Sequence, residues 1–410
     1  MKIAFIVGTF PALSETFVLN QITGMLDRGH DVDIYARRKV EFQKMHSDVN
    51  SYKLLERTYY LRDLKIPRNK FIRVIKAIGI IFIGFKRNFG ITIRTLNLFK
   101  YGKKALSFKL IYEIFPFLGN GPYDIIQCHY GLNGNLGACL KQLGLKGMLV
   151  TMFHGCDIRL GLEKGGDIYN QLFETGDCFL AISDYNYQNL IRFGADPEKI
   201  VSHPVGINIE KFPFRRQTVS VKNLNPLIII TVARLVKEKG IWYGISAIKR
   251  LLKEFPELHL EYHIAGGGEL ERQLRKQTEE LDLVKTVKFL GPLKQEEVIR
   301  RMQNAHLFLL PSIAESLPIV LMEAQAVGLP IVATKVGSVD QAVIDGKAGF
   351  LVPKQDVRSL TKKLKYLIEH PELWAKMGLA GRKYVEEKYD INKLNNKLEK
   401  IYKRLINGNR

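Results

Sequence analysis

Two α/β domains, each a doubly wound parallel sheet, facing each other across a cleft, are expected here from three features of the sequence. The chain has 410 residues, a length that fits two hydrophobic cores better than one. Short apolar runs alternate with helical patterns, which argues for a parallel sheet with helices on both faces. The alternation stops near residues 204–226, where Pro204, Pro213 and Pro226 punctuate a stretch of little periodicity, and then starts again.

The elements follow in order. In the first half the expected strands are "KIAFIV", "DVDIYA", "YDIIQCH", "MLVTMF" and "CFLAIS", with a helix from about Ser14 to Arg28 after the first. In the second half they are "PLIIITV", "HLEYHIAG", "TVKFLG", "HLFLLPS" and "PIVAT". Each is a brief apolar run of strand length. The chain closes with a helix from about Pro371 to Lys388 and a basic-faced helix within "YDINKLNNKLEKIYKRLINGNR". Domains are therefore expected at 1–204 and 205–385, with 386–410 as a C-terminal helix. Ligands of such sheets bind beyond the carboxyl ends of the strands, so the loops that follow them are where chemistry is sought.

Composition narrows the partners. A 46% apolar content is ordinary for a globular protein, but 62 Lys and Arg against 41 Asp and Glu leave a formal charge of +21. Such a surplus favours an anionic partner: nucleic acid, a lipid surface or a phosphorylated substrate. The surplus is concentrated in an interruption of the first domain, about 64–118. There Lys65, Arg68, Lys70, Arg73, Lys76, Lys86, Arg87, Arg94, Lys100, Lys103, Lys104 and Lys109 face one acid, Glu113, with apolar and aromatic residues interleaved. That is the composition of amphipathic helices that lie on an anionic membrane; a solvated helical pair is the plainer alternative. No helix-turn-helix, zinc or RNA-sheet signature accompanies the charge, so no nucleic acid is expected. The run "AIGIIFIGF" is too short to span a bilayer, which takes about 20 apolar residues. "MKIAFIVGTF" reads as a strand rather than a signal peptide. Cys128, Cys139, Cys156 and Cys178 have no disulfide or zinc spacing and read as reduced thiols, so a cytoplasmic protein is expected.

Candidate chemistry collects at strand ends. "ARLVKEKG" places Arg234 and Lys239 between a strand and a helix, where two cations suit a diphosphate. "AGGGEL" offers Gly266 and Gly267 for close backbone approach, but it is not a dinucleotide fingerprint. "ESLPIVLME" puts Glu315 on a loop and Glu323 in the second turn of a helix that Pro318 is expected to begin. Two carboxylates would repel a phosphate, but each accepts well from a vicinal diol. A diphosphate with a hydroxylated ring at each end, a nucleotide sugar, satisfies the whole set. In the first half, "TMFHGCDIR" sets His154 after a strand, as a donor to a sugar hydroxyl or as a packed loop histidine. Gly8 and Thr9 end the first strand, and Ser14 and Glu15 are expected to cap the next helix. The "DVD" of Asp31 and Asp33 sits inside a strand and is read as structural. No other cluster has ligand spacing, so neither metal nor cofactor is expected.

Together these motifs resemble glycosyltransferase family 4, the retaining nucleotide-sugar transferases of the GT-B fold, which has two Rossmann-like domains. The second half carries most of the likeness, through "ARLVKEKG", "HIAGGGEL", "VKFLGPL" and the acid pair, which is similar to the family's E-x7-E element. "FPALSETFVLNQITGMLDRGHDV" and "FHGCDIR" resemble the branch that assembles bacterial capsule and exopolysaccharide repeat units. The resemblance implies roles by position. Arg234 and Lys239 would hold the diphosphate, Glu315 and His154 the donor sugar, Glu323 the ribose, and Leu293 would border the base. Ser316, Leu317, Pro318 and Ile319 would line the donor, with Ser316 where many members have Gly. The resemblance further implies a UDP- or GDP-sugar donor, a lipid-linked saccharide acceptor, a C-terminal helix that returns to the first domain, and a peripheral place on the inner membrane face. A nucleotide-sugar epimerase on the same fold needs no membrane docking. A non-catalytic membrane-binding module needs none of Arg234, Lys239, Glu315 or Glu323.

Overall fold

The computed structural model describes residues 1–12, 15–39, 46–61, 63, 66–216 and 225–408. Ser14, Leu64, Lys65 and the linker residues 217–224 lie outside that set. The chain divides into two units, Met1–His203 with the residues from Asn395 on, and Pro204–Leu394.

The first unit is built on strands β1 (Lys2–Phe10), β2 (Asp31–Lys39), β3 (Thr58–Tyr60), β4 (Ile125–His129), β5 (Met148–Phe153), β6 (Cys178–Ala181) and β7 (Ile200–Ser202). They pair in the order β3-β2-β1-β4-β5-β6-β7, all parallel. Ile3 to Val7 are wholly buried, as a central strand covered on both faces requires. β1 continues into β2 on one side and β4 into β5 on the other, so a topological switch point falls between β1 and β4. Pairing of β1 with β4 stops at Ile6 and Cys128, while pairing with β2 continues to Phe10. The crevice beside Gly8 and Thr9 is therefore open, and a Cβ on Gly8 would meet nothing within 4 Å.

Helices α1 (Thr16–Asp27), α2 (Ser47–Ser51), α3 (Lys70–Thr95), α4 (Leu98–Leu106), α5 (Lys109–Ile114), α6 (Gly131–Leu143), α7 (Gly155–Lys164), α8 (Asn170–Thr175) and α9 (Asp184–Arg192) complete this unit. The basic interruption is α3 to α5. α3 breaks at Asn88, whose φ of −159° and ψ of 95° are not helical and whose side chain accepts from the Ile91 N–H at 3.0 Å. Residues eight apart in a straight helix are separated by about 12 Å along the axis. Here a Cβ on Gly84 would lie 2.8 Å from Thr92 Oγ1, so the chain doubles back at Asn88. Among the described residues no helix is long and apolar enough to cross a membrane.

The second unit holds β8 (Leu227–Val232), β9 (Leu260–Ala265), β10 (Val287–Gly291), β11 (Leu307–Leu310), β12 (Ile331–Thr334) and β13 (Gly349–Val352). Their order is β10-β9-β8-β11-β12-β13, again all parallel. The switch point lies between β8 and β11. Its helices are α10 (Ile241–Glu254), α11 (Glu271–Glu280), α12 (Gln295–Asn304), α13 (Ile319–Ala326), α14 (Val339–Ala342), α15 (Val357–Glu369) and α16 (Glu372–Lys388). A final helix, α17 (Ile391–Gly408), begins here and from Asn395 belongs to the first unit. There Asn395 donates to the Asn20 carbonyl at 3.1 Å, and the buried Tyr402 hydroxyl donates to Gln127 at 2.8 Å.

Candidate active site

In the second unit three loops meet at the carboxyl ends of β8, β11 and β12. After β8 the chain turns through Lys237–Lys239 into Gly240, whose φ of +55° begins α10. Only glycine fits there, because a Cβ would overlap the Pro311 carbonyl oxygen. The Ile313 N–H donates to the Glu238 carbonyl at 2.7 Å, which fastens the loop after β11 to the loop after β8. Gly337, at φ +55°, packs so closely that a Cβ would overlap the Glu315 carbonyl oxygen, and the Ser338 N–H donates to the Ser316 carbonyl at 2.9 Å.

This fastening brings Lys239 and Glu315 together. The ammonium donates to both carboxylate oxygens, at 2.6 and 2.8 Å, and the Ser312 hydroxyl donates to Oε1 at 2.7 Å. The pair is largely out of solvent, with side-chain exposures of 18% for Lys239 and 6% for Glu315. Arg234 stands on the same loop, exposed, and its guanidinium has no hydrogen bond or ion pair among the described residues. A cation held by a buried carboxylate, with an exposed guanidinium on the same loop, is an arrangement able to meet an anion at a switch point.

Gly266 and Gly268 each meet a packing requirement of the backbone. A Cβ on either would overlap a backbone carbonyl, Ala233 for the first and Leu235 for the second. The loop after β9 thus packs on the loop after β8, and Leu235 donates to the Gly267 carbonyl at 3.0 Å. These glycines position Arg234 by letting two backbones touch. Gly267 alone faces a side chain, with Pro292 Cγ 3.2 Å from a Cβ there. Half-buried Leu293 follows β10.

Pro318 is the N-cap of α13 rather than its first helical residue, with Ile319 one position inside. Leu317 and Pro318 are buried, and Ser316 and Ile319 half-buried. Glu323 lies in the second turn with no hydrogen bond or ion pair on its carboxyl group among the described residues. The residue is half-buried, and desolvation of the carboxyl group pushes its pKa up to about 7.

The first unit gathers its own cluster beyond β1, β4 and β5. His154 precedes α7 and is 6% exposed. Its Nε2 lies 3.2 Å from His129 Nδ1, and its ring packs against Phe17 and Tyr130 at 4.7 and 4.6 Å between centroids. Burial, then His129, holds its pKa well below the usual imidazole range, so it acts as a neutral donor or acceptor. Burial takes His129 down to about 3. Asp157 accepts from the backbone N–H of His154 at 2.8 Å and of Gly131 at 2.9 Å, which locks the two loops together. Glu15 occupies the N-cap position of α1, but its side chain makes no capping bond there. It accepts instead from the Tyr130 hydroxyl at 2.9 Å, because the buried carboxyl finds that donor across the crevice. Tyr130 holds φ +75°, a conformation costly for any residue with a Cβ.

Glu15's partner, Tyr130, His129 and Asp157 were not expected as site residues, nor were Ser312, Gly337 and Ser338. "CHYG", which ends β4, holds His129 and Tyr130, and "KVGS", which follows β12, holds Gly337 and Ser338. Asp31 and Asp33 are engaged structurally: Arg57 donates to Asp31 at 3.0 Å and Tyr123 to Asp33 at 2.7 Å.

Comparison with known proteins agrees across both units. Residues 14–211 match the family described as Glycosyltransferase Family 4, and 215–384 match Glycosyl transferases group 1. The chain is 34% identical to the putative colanic acid biosynthesis glycosyltransferase WcaL of Salmonella typhimurium, over 94% of this chain and 96% of that one. It is also 34% identical to the amylovoran biosynthesis glycosyltransferase AmsK of Erwinia amylovora, over 99% and 100%. Its fold is like that of sucrose-phosphate synthase from Thermosynechococcus elongatus, with a TM-score of 0.74 at 20% identity and full coverage of both chains. It is also like Anabaena HepE, solved with UDP, with a TM-score of 0.70 at 16% identity over 98% and 99%. Two doubly wound sheets of the GT-B type, and relatives matched over nearly their whole length, establish that this chain belongs to glycosyltransferase family 4.

Proposed function

We propose that this chain moves a hexose from a UDP- or GDP-sugar to a lipid-linked oligosaccharide, with retention at the anomeric carbon, during assembly of a bacterial surface polysaccharide. The observation that carries the reading is the Lys239–Glu315 pair, with exposed Arg234 on the Lys239 loop, at the β8/β11 switch point. An ammonium has three N–H donors, so Lys239 can keep Glu315 and still reach a diphosphate. Arg234 adds a planar fork suited to the same oxygens. These two cations would carry the charge that develops as the nucleotide leaves, without a metal in that role. Glu315 accepts from the donor sugar and Glu323 from the ribose. Neutral His154, with Gly8 and Thr9 along the open crevice of the first unit, addresses sugar hydroxyls there. Gly266, Gly267, Leu293 and Ser316 to Ile319 border the donor.

In the step itself the bond from the anomeric carbon to the phosphate oxygen breaks as the bond to the acceptor oxygen forms on the same face. The acceptor's proton passes to the departing phosphate. No second carboxylate is needed as a nucleophile. Two named relatives, of colanic acid and amylovoran biosynthesis, support a polysaccharide acceptor.

Membrane docking belongs to the same reading. Of the nineteen large apolar side chains exposed among the described residues, twelve fall between Phe71 and Leu106, and Phe71, Phe82 and Phe89 are each more than 60% exposed. A patch this concentrated, set among the basic residues from Arg68 to Lys109, suits the surface of an anionic leaflet.

Donor turnover across a panel of UDP- and GDP-sugars tests the proposal. One donor should stand out, with Lys239→Ala and Glu315→Ala both far below wild type and EDTA without effect. Wild-type turnover in both variants would defeat the site assignment, and loss of activity in EDTA would defeat the assignment of the leaving charge to Arg234 and Lys239.

A further inference from the structure

A groove of about 1390 Å³ runs along the first unit between the α4–α5 segment and α6. That exceeds the roughly 300–1,000 Å³ of an ordinary small-ligand cleft. Its walls are mixed in a particular way. Leu110, Leu136 and Ile168 give it an apolar lining, while Arg37, Arg68, Lys100 and Lys104 outnumber its acids, Glu113 and Asp167. Two of its lining residues carry buried polar atoms without a partner, the Tyr101 hydroxyl and Asn135 Oδ1. The Tyr101 hydroxyl can donate, so a ligand that brings an acceptor such as a phosphate oxygen to it is favoured.

The position adds to the chemistry. One end of the groove reaches Arg37, at the carboxyl end of β2, which donates to Asn133 at 2.6 Å and to the Leu132 carbonyl at 2.9 Å. Leu132 is two residues beyond Tyr130 of the strand-end cluster. Lys100 and Lys104, also lining the groove, lie on α4, within the exposed apolar and basic stretch. The groove thus joins that stretch to the edge where sugars are handled.

We propose that this groove holds the lipid of the acceptor: one hydrocarbon chain lies along Leu110, Leu136 and Ile168, and its phosphate or diphosphate is held by Lys100, Lys104 and Arg68. The assignment rests on the reading of the acceptor as lipid-linked. It differs from membrane docking, because the groove takes a single chain and the outer face of α3 takes the bilayer surface.

Farnesyl diphosphate is a water-soluble probe for calorimetric titration of the full chain. It should bind at least tenfold more tightly than inorganic pyrophosphate or farnesol. Leu136→Glu and the exposed-site variant Lys104→Glu should each weaken it about tenfold or more while UDP binding stays at wild type, which shows the fold intact. A benzophenone-bearing prenyl diphosphate should label α4 or α6. Equal binding of farnesyl diphosphate by wild type and both variants would overturn the proposal. So would pyrophosphate binding as tightly as farnesyl diphosphate, or labelling confined to α3 around Phe82. Failure of the transfer reading has a separate signature: no nucleotide sugar in the panel is turned over, whatever farnesyl diphosphate does.

Discussion

Removing either member of the Lys239–Glu315 pair is the perturbation with the clearest consequence. Lys239→Ala leaves a carboxylate that is 6% exposed with only the Ser312 hydroxyl as a side-chain donor. Breaking a buried pair costs about 3–5 kcal/mol, and the 18% exposure of Lys239 places this one near the lower bound, about 3 kcal/mol. For a unit of this size each kcal/mol moves the melting midpoint by about 2–4 °C, so a fall of about 6–12 °C is expected. Turnover should fall further than stability explains, by about 10²–10³, the cost of removing one donor to a developing oxyanion. The double variant Lys239→Ala/Glu315→Ala separates the two effects. With both charges gone the stranded carboxylate disappears, so stability should recover most of the loss while turnover does not. Differential scanning calorimetry and single-donor turnover at saturating acceptor read the two quantities. Additive stability losses, with a coupling below about 0.5 kcal/mol, would refute the view that the pair acts as one element.

Glu323 predicts a pH effect. Its folded pKa of about 7 lies above the unfolded value of 4.5, so its contribution favours the fold below about 4.5 and is lost as pH rises toward 7. Buried His129, down to about 3, acts in the opposite sense as pH falls below 6.5, so the difference between Glu323→Gln and wild type is what to read: the variant should gain in urea midpoint at pH 8 relative to pH 4. Gly337→Ala should cost both stability and turnover, since its Cβ overlaps the Glu315 carbonyl, whereas Gly346→Ala, at φ +73° in open space, should cost only about 1 kcal/mol and leave turnover alone. At Tyr130, Gly should be more stable than Ala by roughly 1 kcal/mol in urea unfolding, because φ +75° penalises any Cβ. Phe82→Glu should reduce co-flotation with anionic liposomes without changing donor hydrolysis, and unchanged flotation would remove α3 from the docking face.

The two sheets were legible because their central strands are continuous apolar runs, and a run such as "LIIITV" has few other uses. The strands not anticipated, β3, β7 and β13, have three, three and four residues and sit at sheet edges, as β10 does, where half the hydrogen bonding and less burial are required. Too little pattern is left there to read. Arg234, Lys239, Glu315 and His154 were legible as candidates because each lies on a segment that joins a strand to the next helix. Tyr130 escaped because nothing in "CHYG" announces a positive φ. The triple glycine suggests close backbone approach of a ligand, and nothing in its sequence shows that Gly266 and Gly268 also serve contact between two backbone loops, a requirement that exists only once β8 and β9 are side by side.

The spacing of Glu315 and Glu323 hides an electrostatic asymmetry that only packing creates. Both are the same residue type, eight positions apart, yet one is fixed by a cation and a hydroxyl while the other has neither. Glu315 is held in a geometry set by Gly240 and Gly337, where a longer side chain contact would force two loops apart. Glu323, desolvated and unpaired, is free to take a proton near neutral pH or to accept from a ligand hydroxyl that supplies what the protein withholds. A ribose diol would thus lower its pKa on binding, since hydrogen bonds to the charged form favour ionisation. Donor binding near pH 7 should therefore release protons, and binding enthalpies measured in buffers of different ionisation heat should differ in proportion. Identical enthalpies in all buffers, with Glu323→Gln binding as tightly as wild type, would remove Glu323 from the donor site.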